Sequence, residues 1–289
     1  MMRALLKTMR PRQWTKNAFI FAALVFDKQL LMLTPLLRTL VAFVLFCLIS
    51  SAVYIFNDLA DVEADREHPA KRNRPIASGK LPLGAAWAAG VLLVVLSVAL
   101  GYLLSPAFAL VVITYFLLNL AYSKWLKHIL ILDVLVLAAG FVLRVVAGVA
   151  VIHVVRFSPW LYVVMTLLSL YLGFGKRRAE LALLSDDAAS HRKVLHGYTI
   201  PLLDQYIMIV SGTTIVAYSF YTFSAPNVPA NHSMMLTIPF VVYAIFRYLY
   251  LVQVKQAGGE PEEILLTDRP FQVGLLLWGL VVVAVFYLS

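Results

Sequence analysis

The sequence predicts an all-α fold, a polytopic membrane bundle of nine transmembrane helices. The 289-residue chain is 62% hydrophobic and only 13% charged, whereas soluble domains keep about a quarter of their residues charged. Its apolar residues also form runs that are long enough, or nearly long enough, to cross a bilayer. Because lipid offers no partner to backbone polar groups, continuous apolar runs of this kind span as helices.

Nine such runs follow one another with few polar residues between them. They cover residues 15–26, 35–56, 83–104, 106–122, 129–152, 159–174, 200–223, 233–254 and 271–288. The first is short for a hydrocarbon core about 30 Å thick, so the count depends most on it. The single cysteine, Cys47, excludes a disulfide framework. No linker or low-complexity tract interrupts the chain, and residues 1–289 are therefore predicted to form a single integral membrane domain.

The basic residues predict how the bundle is oriented. Most of the 24 Lys and Arg residues fall in the N-terminal segment and in the loops after even-numbered runs. Lys28, Arg38 and Arg156 fall on the opposite side, and Arg144 and Arg247 lie within runs. Since cytoplasmic loops are enriched in Lys and Arg, the N-terminus and the candidate site are predicted to be cytoplasmic and the C-terminus external. This topology accounts for the net charge of +9 without a nucleic-acid partner.

The stretch from residue 54 to residue 79 holds an unusual concentration of charge. If the second helix continues through its start, Tyr54, Asn57, Asp58, Asp61 and Asp65 share one arc of roughly 100°. Carboxylates stacked in this way, without a base at i+4, repel one another unless a cation lies on them. Mg²⁺ is the best candidate, because it accepts one or two carboxylates together with water and substrate phosphates. The alternative is a solvated loop of mixed charge.

Basic residues follow the acidic ones directly. They are Arg66, Lys71, Arg72 and Arg74, and Pro69 and Pro75 turn the backbone out of the helix between them. Acidic residues followed by basic ones predict a site for a metal-bridged polyphosphate.

Two further segments offer cations to the same site. Lys16 and Asn17 lie at the start of the first run and could reach a polar chamber, while Trp14 and the neighbouring bases could instead anchor the chain at anionic headgroups. Tyr122 and Lys124 could bind a phosphate oxygen, or Lys124 could serve only as a topology signal.

The segment after the sixth run carries another group of charges. Lys176 and Glu180 could simply pair at i and i+4, or the segment, with Arg177, could supply the cationic half of an anion cradle. Asp133 and Arg144 lie within a run, and ionisable residues there usually face a bundle interior or an aqueous cavity. We expect both to line a chamber at different depths. His191 and His196 lack the spacing of a metal site.

The motif Asn57-Asp-Leu-Ala-Asp61-Val-Glu-Ala-Asp65, at the end of the second of nine helices, resembles the first Asp-rich motif of the UbiA superfamily of intramembrane prenyltransferases. The segments from Asp65 to Gly79, from Arg10 to Asn17 and from Gly175 to Leu181 are similar to the bacterial decaprenyl-phosphate phosphoribosyltransferase branch of that superfamily. This branch transfers 5-phosphoribose from 5-phosphoribosyl 1-diphosphate to a polyprenyl phosphate, for the precursors of cell-wall arabinan. The resemblance thus implies a UbiA-like fold and a multi-pass enzyme of the bacterial inner (plasma) membrane.

One departure from the superfamily concerns the second Asp-rich motif, which ordinary members carry after the sixth helix. This chain has Lys176, Arg177, Arg178 and Glu180 there, and Asp186 and Asp187 do not have the required spacing. The departure disfavours a polyprenyl diphosphate held between two metal motifs. It favours a donor whose far phosphate is bound by cations.

The resemblance assigns roles to particular residues. Mg²⁺ on Asn57 and Asp61, with Asp58 and Asp65 as further ligands or as partners of the ligands, would bind the donor diphosphate, and Asp58, Asp61 and Asp65 are the candidate catalytic residues. The candidate substrate-binding residues are Lys16, Tyr54, Arg66, Lys71, Arg74, Tyr122, Lys124, Lys176, Arg177 and Glu180. The expected partners are 5-phosphoribosyl 1-diphosphate, a polyprenyl phosphate and the lipid bilayer. Whether the chain forms a homo-oligomer is left open.

Two other functions are compatible with the sequence. One is a UbiA-type prenyltransferase that uses a polyprenyl diphosphate donor. The other is a cation-coupled transporter whose carboxylates bind the driving ion. Transporter sites usually lie near the bilayer midplane between internal repeats, whereas the charges here collect at one membrane face.

Overall fold

The computed structural model describes residues 1–69, 71–154, 158–183, 193–256 and 261–288, and these ranges are helical with no strand. The α-helices, numbered in chain order, are α1 (Met2–Met9), α2 (Phe21–Phe26), α3 (Leu33–Ala60), α4 (Val62–Glu67), α5 (Leu83–Leu104), α6 (Pro106–Lys124), α7 (Leu132–Val149), α8 (Pro159–Leu183), α9 (Ile200–Ser224), α10 (Ile238–Gln253), α11 (Pro261–Thr267) and α12 (Arg269–Leu288). Short 3₁₀ segments cover Pro11–Ile20, Lys71–Asn73, Leu126–His128, Lys193–Gly197 and Ser233–Thr237.

Within the described ranges, seven helices are long and apolar enough to cross a membrane. They are α3, α5, α6, α7, α9, α12, and α10 extended over Ser233–Gln253. The all-α fold and the multi-pass membrane class are thus confirmed, while the predicted count of nine is larger than the number found. The first predicted run is not a continuous α-helix, because it begins in the 3₁₀ segment Pro11–Ile20 and only Phe21–Phe26 is α-helical. The sixth run lies in α8, which is not one of the seven.

The chain divides into two compact units. Unit one comprises Met1–Leu24, Gln29–Lys124 and Leu143–His153. Its core packs around α3, where Phe46 and Ile49 meet Phe108 and Val112 of α6. A Cβ at Gly148 would lie 2.0 Å from the carbonyl oxygen of Ile20, so only glycine permits this approach of the end of α7 to the N-terminal 3₁₀ segment. That approach fixes the residues around Asn17 inside unit one.

Unit two comprises Val25–Lys28, Trp125–Val142 and Val154–Ser289. Its larger core joins Tyr171 and Phe174 of α8 to Leu203 of α9 and Tyr248 of α10. The first half of α7 packs closely on α8, since a Cβ at Gly173 would lie 2.6 Å from Val134 Cγ1. This close packing places Asp133, the neighbour of Val134, against the charged half of α8. The single domain over residues 1–289 stays a prediction.

Candidate active site

The acidic segment is not one uninterrupted helix, so the predicted five-residue stripe is wrong in detail. Helix α3 ends at Ala60, Asp61 has φ −96° and ψ 10°, and α4 begins at Val62. Backbone bonds from Asp61 N to Asn57 O (3.0 Å) and from Asp65 N to Asp61 O (2.8 Å) bridge the break. The acidic side chains differ in exposure: Asp58 and Asp65 are buried, and Asp61 is exposed.

Arginines, rather than a metal alone, neutralise the two buried acids. Asp58 Oδ1 accepts from Arg10 Nη2 at 2.6 Å and from Arg74 Nη1 at 3.2 Å. Arg74 Nη1 also donates to Asp65 Oδ2 at 2.7 Å. The sequence offers no base at i+4 on the same helix, and the partner of Asp58 comes instead from Arg10, 48 positions earlier in the chain. Because each buried charge has a partner, the cluster avoids the large cost of an unpaired buried ion.

Arg10 is a site residue that sequence reasoning missed. It lies between α1 and the first 3₁₀ segment, with a left-handed backbone at φ 53° and ψ 63°. Its guanidinium lies 4.8 Å from the centroid of the Tyr54 ring. The available signal was its position in the segment Arg10–Asn17, of which only Lys16 and Asn17 were considered for the site.

The segment after α4 folds back so that Arg74 faces α3. Ile76 and Leu81 pack in a buried cluster with Met9 and Ile55, and Gly79 closes the turn with φ 73°. Arg74 is thereby held at the buried acids.

Arg66 and Lys71 lie on the same segment and are both exposed. Arg66 donates to Glu63 at 2.9 Å and to the carbonyl of Ala77 at 3.4 Å. The backbone N–H of Lys71 donates to His68 Nδ1 at 3.4 Å. Neither Arg66 nor Lys71 shares the buried cluster that holds Arg74.

Asn57 receives a hydrogen bond from the end of α6. Ser123 Oγ donates to Asn57 Oδ1 at 2.5 Å, which brings the segment with the half-buried Tyr122 and the exposed Lys124 to the end of α3. Ser123 was not predicted as a site residue, since a lone serine beside Tyr122 gives no chemical signal. One turn after Asn57 lies Asp61, at the break that follows α3, so the end of α3 presents one amide and one exposed carboxylate.

Asn17 and Arg144 belong to a buried polar cluster of unit one. Arg144 Nε donates to Asn17 Oδ1 at 2.8 Å, and Arg144 Nη2 donates to the hydroxyl of Tyr115 at 3.0 Å. Arg144 was expected to line a polar chamber; its side chain is enclosed within this cluster, with 6% of the residue exposed. Nearby, Lys16 is half-buried. Trp14, a candidate headgroup anchor, donates its indole N–H to Ser51 Oγ at 3.0 Å.

Unit two contains a separate ionic cluster around Asp133. Arg177 Nε donates to Asp133 Oδ2 at 2.6 Å, and Arg177 Nη1 donates to Glu180 Oε2 at 2.7 Å. The Tyr198 hydroxyl donates to Asp133 Oδ1 at 2.8 Å and accepts from the backbone N–H of Ile131 at 2.9 Å. Burial, and next the hydrogen bond to Asp133, raise the pKa of Tyr198, so its hydroxyl remains a donor.

This cluster gives each predicted residue of α8 a position within unit two. Arg177 is enclosed and Glu180 binds it, while Lys176 is half-buried. Asp133 was expected to line a chamber, but it is fully buried against Arg177. Arg156, Asp186, Asp187 and His191 lie outside the described residues.

The side-chain oxygens of Asn57 and Asp61 in unit one fit a magnesium ion whose coordination shell is completed by substrate. In the part of the chain that the structure describes, no three His, Cys, Asp or Glu side chains are grouped to hold a metal ion. Asn57 and Asp61 are oxygen donors four residues apart, one half-buried and one exposed. Mg²⁺ accepts such a sparse set, because water and substrate phosphates fill its remaining positions.

Comparison with known proteins identifies relatives along almost the whole chain. The chain is 39% identical over 277 residues to a decaprenyl-phosphate phosphoribosyltransferase of Mycobacterium tuberculosis, covering 94% of this chain and 90% of that protein. It is 38% identical to a protein of the same name from Mycolicibacterium smegmatis, covering 99% and 93% of the two chains.

A solved structure shares the fold. It is a UbiA homolog from Archaeoglobus fulgidus bound to GPP and Mg²⁺, with a TM-score of 0.73, 18% identity, and coverage of 98% of this chain and 99% of the other. The model of the UbiA prenyltransferase family matches residues 18–262. The chain therefore belongs to the UbiA prenyltransferase family.

Proposed function

We propose that this chain transfers 5-phosphoribose from 5-phosphoribosyl 1-diphosphate to a polyprenyl phosphate of the decaprenyl type, releasing diphosphate. The observation that carries the proposal is the 39% identity, over 94% of the chain, to an enzyme named decaprenyl-phosphate phosphoribosyltransferase. The basic α8 segment at Lys176 to Arg178 also supports it, since a second metal-binding acidic motif is expected there in ordinary prenyltransferases. The product would serve the synthesis of cell-wall arabinan precursors.

The donor would bind at the end of α3. Asn57 and Asp61 would hold Mg²⁺, which when bound neutralises charge on the leaving diphosphate, an effect worth several kcal/mol of barrier. Arg74 would reach the diphosphate from its position between Asp58 and Asp65, since its side chain is 30% exposed. Tyr54, Arg66 and Lys71 would complete the donor cradle.

The acceptor needs no general base. Its phosphate is already an anion, so one oxygen attacks C1 of the ribose as the bond from C1 to the diphosphate oxygen breaks, and the diphosphate leaves with the electron pair. Donors aimed at developing charge supply the catalysis in such a site.

Other cations would bind the remaining phosphates. Lys16, Tyr122 and Lys124, all in unit one, are proposed for the donor 5-phosphate or the acceptor phosphate. Arg177 and Glu180, which bind each other beside buried Asp133, would shape the α8 segment that carries Lys176. We propose that the enzyme lies in the bacterial plasma membrane with its N-terminus and site in the cytoplasm. Most of its Lys and Arg residues fall in the segments on that side, and cytoplasmic loops are enriched in these residues.

A transfer assay tests the proposal. Membranes that contain the enzyme are given labelled 5-phosphoribosyl 1-diphosphate and polyprenyl phosphate, and the label should enter the lipid phase only with Mg²⁺. Asp61→Ala should abolish this transfer. Glu67→Ala is the matched control, because Glu67 is an exposed acid at the end of α4 to which no role in the site is assigned. Transfer only from a polyprenyl diphosphate would instead support an ordinary UbiA-type prenyltransferase.

A further inference from the structure

We propose that Arg10 binds the leaving diphosphate of the donor, and that Asp58 is the positioning residue that holds Arg10 for this task. The donor's identity rests on the proposed function, whereas the role of Arg10 rests on the contacts below. The acidic motif then divides into metal ligands, Asn57 and Asp61, and a residue that holds a cation, Asp58.

Helix α3 forms a two-point socket for the Arg10 guanidinium. Tyr54 and Asp58 are one helical turn apart and so lie on one face. The Tyr54 ring lies 4.8 Å below the guanidinium carbon, and Asp58 Oδ1 binds Nη2 at 2.6 Å. A ring beneath the plane and a carboxylate at its edge fix the orientation of a planar guanidinium, which the ammonium of lysine would not reproduce.

The backbone of Arg10 is strained. Its φ of 53° and ψ of 63° lie in the left-handed region, which costs a residue with a Cβ roughly 1–2 kcal/mol. The following residue is Pro11, and a residue before proline prefers an extended conformation. Strained residues of this kind occur preferentially at ligand-binding sites. Glycine would relieve the strain, so the arginine side chain must contribute something that offsets it.

Arg10 retains donors for an anion. Its side chain is 33% exposed, and an arginine carries five N–H donors. Within the described residues, its hydrogen bond to a side chain is the one to Asp58. The other donors are available to an incoming ligand without breaking the socket.

The position of Arg10 selects the diphosphate over the 5-phosphate. Asp58 is the neighbour of Asn57, so the guanidinium is held on the helical turn that carries the proposed metal ligands. Asp58 and Asp65 bind Arg10 and Arg74, whereas the acid proposed for Mg²⁺ is the exposed Asp61, one turn after Asn57. A diphosphate bound to that ion would meet the free edge of Arg10.

Binding of inorganic diphosphate to the purified enzyme, measured by calorimetry with Mg²⁺ present, tests this role directly. A charge-assisted hydrogen bond is worth about 1.5–3 kcal/mol, so Arg10→Ala should weaken diphosphate binding roughly 10- to 100-fold. Arg10→Lys should recover only part of the loss. The matched control is Arg12→Ala, an exposed arginine two residues away, which should bind like the parent. Ribose 5-phosphate, which lacks the diphosphate, should inhibit transfer to the same degree in the parent, Arg10→Ala, Arg10→Lys and Arg12→Ala.

Asp58→Asn separates positioning from metal binding. Mn²⁺ binding, measured by electron paramagnetic resonance, should be unchanged in this variant, while diphosphate binding falls by a smaller factor than in Arg10→Ala. The double variant should be no weaker than Arg10→Ala alone, because residues that act through one another are not additive. Melting temperatures measured without ligand identify any variant that does not fold. If Arg10→Ala is such a variant, the comparison is made between Arg10→Lys and the parent.

Two results would overturn the proposal: diphosphate binding by Arg10→Ala within twofold of the parent, or loss of Mn²⁺ binding in Asp58→Asn. Failure of the proposed function looks different. In that case the parent transfers no label from 5-phosphoribosyl 1-diphosphate, yet diphosphate binding still depends on Arg10, because other donors of the family also carry a diphosphate.

Discussion

Two carboxylate and guanidinium clusters, one in each unit, use the same chemistry with different access to solvent. In unit one the acids are buried, but the side chains of Arg10 and Arg74 are 33% and 30% exposed. In unit two the side chains of Asp133 and Arg177 are 0% and 1% exposed. A partly exposed guanidinium can bind a substrate phosphate in addition to its carboxylate, whereas an enclosed one cannot do so without opening the core. We therefore propose that the unit-one cluster binds substrate and that the unit-two pair is structural, on the ground of the exposure of their cations.

The sharpest test of this difference removes the buried acid of unit two. Asp133→Ala leaves Arg177 charged inside the protein, and breaking a buried pair in this way costs about 3–5 kcal/mol. A large fall in melting temperature is expected in detergent or nanodiscs. Replacing both partners, as Asp133→Leu with Arg177→Met, should restore much of the loss, since no enclosed charge is left unpaired and Glu180, whose side chain is 23% exposed, stays in contact with water. A double variant as unstable as the single one would show that packing, not charge, sets the cost.

The corresponding change in unit one should have a smaller effect on stability and a larger one on function. Asp65→Asn removes one of the two acids that hold Arg74, but Arg74 keeps Asp58 and its contact with water. We expect a loss of about 1–2 kcal/mol, well below that of Asp133→Ala, together with a raised KM for the donor. Thermal melting and initial rates measure the two effects. Equal melting losses in both units would contradict the role assigned to exposure.

The sequence was sufficient for the features that depend on local pattern. Apolar runs predicted α5 over residues 83–104, which agrees with the helix Leu83–Leu104, and the acidic motif with its basic continuation predicted Arg74 at the site. It was insufficient where a contact joins distant parts of the chain. Arg10 meets Asp58 across 48 residues, and Arg177 meets Asp133 across 44, so helical periodicity contains no signal for either. The sequence also did not predict the break at Asp61, because aspartate does not by itself end a helix.

Tyr198 offers a milder perturbation of the enclosed cluster. Tyr198→Phe removes the hydrogen bond to Asp133, and a loss of about 1–2 kcal/mol is expected. Because the pKa of Tyr198 is raised in the folded protein, its contribution is complete below the ordinary tyrosine pKa of about 10 and declines as the pH rises beyond it. The melting temperature of the parent should therefore fall more steeply than that of the variant between about pH 9 and 11. Parallel curves for the two proteins would contradict this.

The smallest effect on melting temperature is expected at Asp268, whose ion pair with Arg247 lies near the surface and serves as a reference for the two clusters. Arg247 binds both Asp268 oxygens, at 3.1 and 2.8 Å, and the side chains are 27% and 14% exposed. The hydrogen bond from Arg247, and then that from the backbone N–H of Phe271, lower the pKa of Asp268. Its contribution is therefore present above the ordinary aspartate pKa of about 3.9 and is lost as the pH falls below it. Asp268→Asn should lower the melting temperature only slightly at pH 7, and the difference from the parent should shrink below about pH 4. If this partly exposed pair mattered as much at pH 7 as the Asp133 pair, the cost of breaking an ion pair in this protein would not follow the exposure of its cation. The distinction between the two clusters would then have to rest on ligand binding alone.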